Sequence, residues 1–191
     1  MPLKSCLMVM AGASMLFAAT PLFAADHTQS SADICANAAA IAQARGTATD
    51  SAMAECSVAI RLAYYEPRRA AALTNRSALY LVSGQYGASI ADANAALQLD
   101  DQLAQAYVNR GAALLQEHRP ADAAADFARA LALAPAHREV IYFDRAIARE
   151  DMGDRQGAYA DYREAAELSP NWERPRHELT RFTIIPEPPT S

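Results

Sequence analysis

The strongest constraint on the fold is a segment that occurs three times in tandem. The copy over 104–135, AQAYVNRGAALLQEHRPADAAADFARALALAP, has a related copy before it and another after it. Aligning the copies superimposes Ser77, Gly111 and Ala146, which are 34 and 35 residues apart. A fixed period near 34 residues with two helices per copy is typical of a helical solenoid, in which each unit packs on its neighbours.

Helix breakers and capping residues divide the chain into consecutive pairs of helices. Glycine is scarce, with seven in 191 residues, and the hydrophobic content of 52% includes much alanine, the residue that most favours helix. We therefore predict an all-α fold, a right-handed α-solenoid of antiparallel helix pairs that ends in a capping helix. Helices are expected over 68–82 and 87–98, over 102–116 and 120–133, over 137–151 and 155–168, and over 171–182.

The chain before the first clear copy contains a degenerate version of the repeat. Helices are expected there over 33–44 and 52–62, with Asp50 or Ser51 as the cap of the second. The second of these helices matches the repeat better than the first does. This pair is therefore interpreted as an N-terminal unit whose sequence has diverged.

The first 25 residues have the features of a secretory signal. Lys4 supplies the positive start, an apolar stretch follows over 6–19, and small residues offer cleavage after Ala24 or Ala25. An uncleaved anchor is the alternative, although the stretch is short for a membrane span. We expect an exported protein, periplasmic or extracellular, with no membrane span after cleavage. The expected divisions are a signal over 1–25, the degenerate pair over 26–66, three units over 67–170, the capping helix over 171–182 and a disordered tail over 183–191.

Two cysteines, Cys35 and Cys56, remain after removal of the signal. An even pair in an exported chain indicates a disulfide, and two buried thiols are the alternative. The bond would close a loop of 21 residues, for which the chain-entropy relation gives about 3 kcal/mol. It would hold together the least regular unit of the array.

The three clear copies resemble the tetratricopeptide repeat family in their order of large and small residues. That family has a large residue and then a small one in its first helix, an apolar residue in its second helix, and a closing proline. The resemblance implies a stack of helix pairs that binds other proteins and has no catalytic role. The matching positions are Leu73, Tyr107 and Tyr142; Ser77, Gly111 and Ala146; Ala93, Phe127 and Tyr162; and Asp101, Pro135 and Pro170.

Each copy also carries an arginine where the family has leucine, and an aspartate in its second helix. Three arginines and three aspartates at matched positions predict one ion pair per unit, because arginine can meet a carboxylate through two parallel hydrogen bonds. We interpret these pairs as structural, since desolvation offsets most of their attraction. The residues are Arg76, Arg110 and Arg145, and Asp92, Asp126 and Asp161.

The resemblance further implies a concave groove on the first helices of the units. Members of the family that grip a peptide's terminal carboxylate need lysines or arginines there, and this chain has none at those positions. A mostly apolar groove favours a helix or hydrophobic segment as ligand. The alternative occupants are the chain's own C-terminal helix, through Trp172, Leu179 and Phe182, or a second copy. The groove positions are Thr74, Asn75, Ala78, Gln105, Val108, Asn109, Ala112, Val140, Phe143, Asp144 and Ile147.

The sequence offers no catalytic, metal or cofactor motif. Its histidines are scattered, and it has no nucleophile or phosphate-binding pattern. Its arginines are scattered too, and the net charge is −5, so a nucleic-acid partner is not expected. We therefore hypothesise a non-enzymatic adaptor or scaffold that binds a protein or peptide. The alternative is self-assembly as a homodimer, or a place as a non-catalytic subunit of an envelope complex.

Overall fold

A computed structural model describes residues 31–63, 65–133 and 135–182 of the chain. The predicted signal over 1–25, which contains the third cysteine, Cys6, and the predicted tail over 183–191 therefore lie outside the described residues. Those ranges contain nine helices and no strand. The helices are α1 Ser31–Arg45, α2 Asp50–Leu62, α3 Glu66–Val82, α4 Tyr86–Leu99, α5 Ala104–Gln116, α6 Pro120–Ala132, α7 Arg138–Asp151, α8 Arg155–Leu168 and α9 Glu173–Leu179.

The helix ends follow local capping chemistry. The cap of α2 is Thr49 rather than Asp50 or Ser51, because the Thr49 hydroxyl accepts a hydrogen bond from the Ala52 amide at 3.2 Å. The capping helix α9 spans seven residues and is shorter than the expected 171–182. The remaining helices begin and end within a few residues of their predicted limits, so the period identified each pair correctly.

The helices pair as the repeat predicts and then stack in chain order. We call α1–α2 the N-terminal pair, and α3–α4, α5–α6 and α7–α8 the first, second and third units. The inner helices α3, α5 and α7 contact one another in succession, whereas the outer helices α4, α6 and α8 contact mainly inner helices. This arrangement is an all-α solenoid with one wall formed by the inner helices.

Small residues allow the two helices of a unit to approach closely. A Cβ atom added to Gly111 would lie 2.9 Å from Cε1 of the Phe127 ring, which is fully buried. In the first unit Ser77 stands at the position of Gly111, and it contacts Ser89, a second buried serine. The Ser89 hydroxyl donates to the Ser77 carbonyl at 2.9 Å, and the two hydroxyls are 3.0 Å apart. Each unit therefore fills the same space with a different matched set of side chains.

A disulfide joins Cys35 of α1 to Cys56 of α2, with 4.5 Å between their Cα atoms. Both residues are fully buried, and they pack with Ala72 and Leu79 of α3. The bond therefore links the two helices of the N-terminal pair at their contact with the first unit.

Reduction of this bond is expected to lower the stability of the N-terminal pair. The lost constraint is worth about 3 kcal/mol, or on the order of 10 °C in melting temperature. Thermal melting followed by circular dichroism, with and without a phosphine reductant, measures the shift. Hydrogen exchange should increase mainly over 31–62.

The double variant Cys35→Ser/Cys56→Ser serves as the control, because its melting should not respond to reductant. Two free thiols in exported protein would contradict the prediction.

None of the helices in the described ranges combines the length and the hydropathy needed to cross a membrane.

Candidate functional site

The predicted groove positions all lie on α3, α5 and α7, and together they form what we call the inner wall. The wall is more buried than an open groove would be. Asn109 and Phe143 have no exposed surface, and Val108, at 8%, is the most exposed of the buried apolar members. Gln105 is exposed and Asn75 is half-buried. The accessible part of the wall is therefore its polar part, on α3 and the start of α5.

Asn109 uses its side-chain amide within the protein. Its Nδ2 donates to the Thr74 carbonyl of the first unit at 3.0 Å, and its Oδ1 accepts from Gln105 Nε2 at 2.9 Å. The first of these bonds spans the contact between α3 and α5. Asn109 thus acts as a connection between units, whereas the resemblance implied that it would face a ligand.

Asp144 occupies the same position in the third unit and is also buried, with 6% of its surface exposed. Its Oδ1 atom is the buried side-chain oxygen that lacks a hydrogen-bond partner among the described residues. Burial raises the pKa of this carboxyl to about 8, and the charge of Arg174 lowers it in part. Asp144 is therefore held mainly as the neutral acid at pH 7.

The matched arginines and aspartates meet within each unit, as the sequence pattern predicted. Arg110 donates from Nε and Nη2 to the two Asp126 oxygens at 2.7 Å each. Asp161 of the third unit has the most buried carboxylate of the three, with 3% of the side chain exposed. The other pairs have the same two-bond geometry: Arg76 to Asp92 at 2.7 and 2.9 Å, and Arg145 to Asp161 at 2.8 and 2.7 Å.

Two of these arginines also reach the preceding helix pair, a feature not expected from the sequence. Arg76 Nη1 donates to the Ser57 hydroxyl at 2.9 Å, and Arg110 Nη1 donates to Asn94 Oδ1 at 2.6 Å. Asp161 instead accepts a further bond from Arg149 at 2.8 Å. Arg149 lies one helical turn after the repeated arginine Arg145, and this spacing is the feature of the sequence that could have predicted its contact with Asp161. Arg76 and Arg110 thus connect their units to the preceding helix pair, whereas the ion pair of the third unit stays within that unit.

Aromatic residues of the C-terminal region cover the end of the inner wall in the third unit. The Trp172 ring lies 4.9 Å from the Phe143 ring, measured between centroids. Phe182 lies 5.8 and 5.9 Å from the rings of Tyr159 and Tyr162. The C-terminal part of the chain therefore covers the surface around Phe143. This is the occupant that the sequence analysis gave as an alternative to a partner protein.

The part of the chain that the structure describes contains no group of three or more His, Cys, Asp or Glu side chains placed to hold a metal ion. His118 and His137 lie in connections between helices, both with left-handed backbone (φ 58° and 56°). Neither belongs to a set of candidate ligands in those ranges.

Comparison with known sequences identifies the repeat directly. The sequence pattern described as tetratricopeptide repeat matches residues 140–171, which cover most of the third unit. No curated protein matches the chain in sequence.

Solved structures show the same fold over most of the chain. The first TPR of Spaghetti (RPAP3), bound to the HSP90 peptide SRMEEVD, is 24% identical with a TM-score of 0.57, covering 62% of this chain and 94% of that one. MamA is 19% identical with a TM-score of 0.63, covering 74% and 80%. A thermophilic TPR protein of Thermus thermophilus is 17% identical with a TM-score of 0.65, covering 82% of each chain.

Proposed function

Because this chain folds as a tetratricopeptide-repeat solenoid, we propose that it is a non-enzymatic adaptor that holds a peptide or helix of another protein against its inner wall. The observation that carries the proposal is the stacking of α3, α5 and α7 along one side, with exposed polar groups on α3 and α5 next to buried apolar ones. An extended chain needs donors and acceptors beside apolar contacts, and Asn75 and Gln105 supply both.

The charge of the wall limits the class of partner. The solved RPAP3 repeat holds the peptide SRMEEVD, which contains two glutamates and an aspartate. None of the eleven inner-wall positions here is a lysine or arginine, and one of them is Asp144. An acidic peptide end would therefore lack a countercharge at those positions. A neutral segment whose backbone can hydrogen-bond to Asn75 and Gln105 fits the accessible part of this wall better.

The proposed place of action is outside the cytoplasm, in the periplasm of a bacterium. The buried Cys35–Cys56 bond supports this proposal, because disulfides persist in oxidising compartments and are rare in the cytosol. The signal-like first 25 residues support it independently.

A charge placed on the accessible part of the wall should abolish partner capture. The variant Ala71→Arg/Gln105→Arg changes Gln105 of the inner wall and Ala71, which lies on α3 one turn before Asn75. Both residues are exposed, so the fold should tolerate the change. We expect at least a tenfold drop in partner recovered from envelope fractions, corresponding to about 1.4 kcal/mol or more. Quantitative mass spectrometry of pull-downs with the purified chain measures it.

The matched control is Ala121→Arg/Ala125→Arg, which adds the same charge to exposed positions of the outer helix α6. Its recovery should equal that of the unmodified chain. Equal recovery by both variants would remove the inner wall as the binding surface.

A further inference from the structure

The two junctions between the three units can be compared directly, because they join equivalent helices. At the first junction, α5 of the second unit contacts both α3 and α4 of the first unit. Two polar bonds cross between the units there: Asn109 Nδ2 donates to the Thr74 carbonyl at 3.0 Å, and Arg110 Nη1 donates to Asn94 at 2.6 Å. The first junction is therefore closed by both packing and hydrogen bonds.

The second junction differs in its polar groups. Asp144 replaces the asparagine, so the donation that Asn109 makes to a carbonyl is available here only while the carboxyl carries its proton, because an ionised carboxylate can only accept a hydrogen bond. Its Oδ1 has no partner among the described residues. Ala128 stands where Asn94 stands in the first unit, so that acceptor is missing as well.

The second junction also differs in its packing. Helices α5 and α7 make fewer close contacts than α3 and α5 do, whereas α6 contacts α7 almost as extensively as α4 contacts α5. The repeat spacing is one residue longer here, and the residue before α7, His137, has a left-handed backbone that a side chain disfavours. The second junction thus has a smaller contact between its inner helices and, among the described residues, fewer polar bonds across it than the first junction has.

The charged groups around Asp144 engage other partners or act on its carboxyl from a distance. On α5, Arg110 is bound to Asp126 of α6, and on α8, Asp161 holds both Arg145 and Arg149 of α7 itself. Arg174 of α9 acts on Asp144 through its charge. Tyr107 of α5 and Tyr142 of α7 are partly buried, and Tyr162 of α8 donates to Glu150 at 3.0 Å.

We propose that the second junction is a hinge that loosens when the Asp144 carboxyl loses its proton, while the first junction stays closed. As the neutral acid, Asp144 can donate a hydrogen bond as the equivalent asparagine does. As the anion, it carries a buried charge that water can solvate only if α7 separates from α5. The hinge does not require a partner on the inner wall, so the two proposals can fail separately.

The direction with pH follows from the proton balance. The closed state holds the proton up to about pH 8, whereas a solvated carboxyl releases it near the ordinary value of 3.8. Opening should therefore become about tenfold more favourable for each pH unit between about pH 6 and about pH 8, and level off above that.

Hydrogen exchange of the full chain at matched pH, compared with the variant Asp144→Asn, tests the hinge. Comparing two proteins at one pH removes the intrinsic pH dependence of exchange. The quantity to compare is the exchange rate of the unmodified chain divided by that of the variant, over 104–116 and 138–151. We expect this ratio to be about 100-fold larger at about pH 8 than at about pH 6. The control Asp151→Asn, on the exposed side of the same helix, should behave as the unmodified chain does.

Two results would overturn the proposal. Equal exchange in Asp144→Asn and the unmodified chain at the higher pH would show that the carboxyl does not control the junction. A rise in the unmodified chain beyond the intrinsic pH dependence of exchange that is as large over 66–99 as over 138–151 would show that the whole stack responds together. The second readout needs no variant, so it stands even if Asp144→Asn fails to fold.

Discussion

Replacement of Asp161 by alanine is expected to destabilise the protein by about 3 kcal/mol, the largest loss of any substitution in the repeated ion pairs. Asp161 is almost completely buried and accepts hydrogen bonds from both Arg145 and Arg149. Removing it leaves two partly buried guanidinium groups without this counterion. Urea denaturation followed by circular dichroism measures the change.

A comparison with a surface pair separates burial from charge. Glu167→Ala removes a pair with Arg163 at 3.4 Å, in which both side chains are more than half exposed. That variant should change stability by no more than about 0.5 kcal/mol. A triple replacement of Asp161, Arg145 and Arg149 by apolar residues of similar size should recover most of the loss, because no unpaired charge remains. A loss below about 1 kcal/mol in Asp161→Ala would show that the arginines find water or other partners at little cost.

The variant Asp144→Asn is expected to be more stable than the natural chain at neutral pH, by up to about 4 kcal/mol at pH 7. Burial raises the pKa of this carboxyl to about 8, from an ordinary value of 3.8. Between these values the native state binds a proton that the unfolded state has released. Stability therefore falls as the pH rises from about 4 to about 8, and an amide removes that dependence.

Urea midpoints measured from about pH 5 to about pH 9 test this directly. The unmodified chain should lose stability up to about pH 8, while Asp144→Asn should show a flatter profile over the same range. Asp151→Asn, an exposed change on the same helix, should follow the unmodified chain. Parallel profiles for the natural chain and Asp144→Asn would mean that the carboxyl is solvated in the native state.

The period and the pattern of small residues were sufficient to predict the fold. Gly111 illustrates why, since the Phe127 ring fills the space that its missing side chain leaves, and this complementarity repeats every 34 or 35 residues. The pairing of each arginine with an aspartate was predictable for the same reason. Both features depend on contacts within one unit, and the spacing within a unit fixes them.

The accessibility of the inner wall could not be predicted in this way. Whether Val108 or Phe143 is open depends on how far each unit rotates against the next and on what the C-terminal residues cover. Trp172 lies outside the repeated pattern, so no alignment of the copies places it against Phe143. Asn109 and Asp144 occupy the same position of the repeat, but the structure shows a difference that the alignment does not. Asn109 makes a hydrogen bond across its junction, whereas the Oδ1 atom of Asp144 has no partner among the described residues.

Site-specific photo-crosslinking tests most directly whether the inner wall holds a partner. A benzophenone amino acid at Gln105 samples the accessible part of the wall, and one at Ala125 samples the exposed side of α6. Irradiation of cells that produce the protein should give a discrete adduct with another protein from the probe at Gln105 and none from the probe at Ala125. Adducts from the Ala125 probe alone would contradict the account, and an adduct from the Gln105 probe that contains only a second copy of the chain would replace the adaptor by self-assembly.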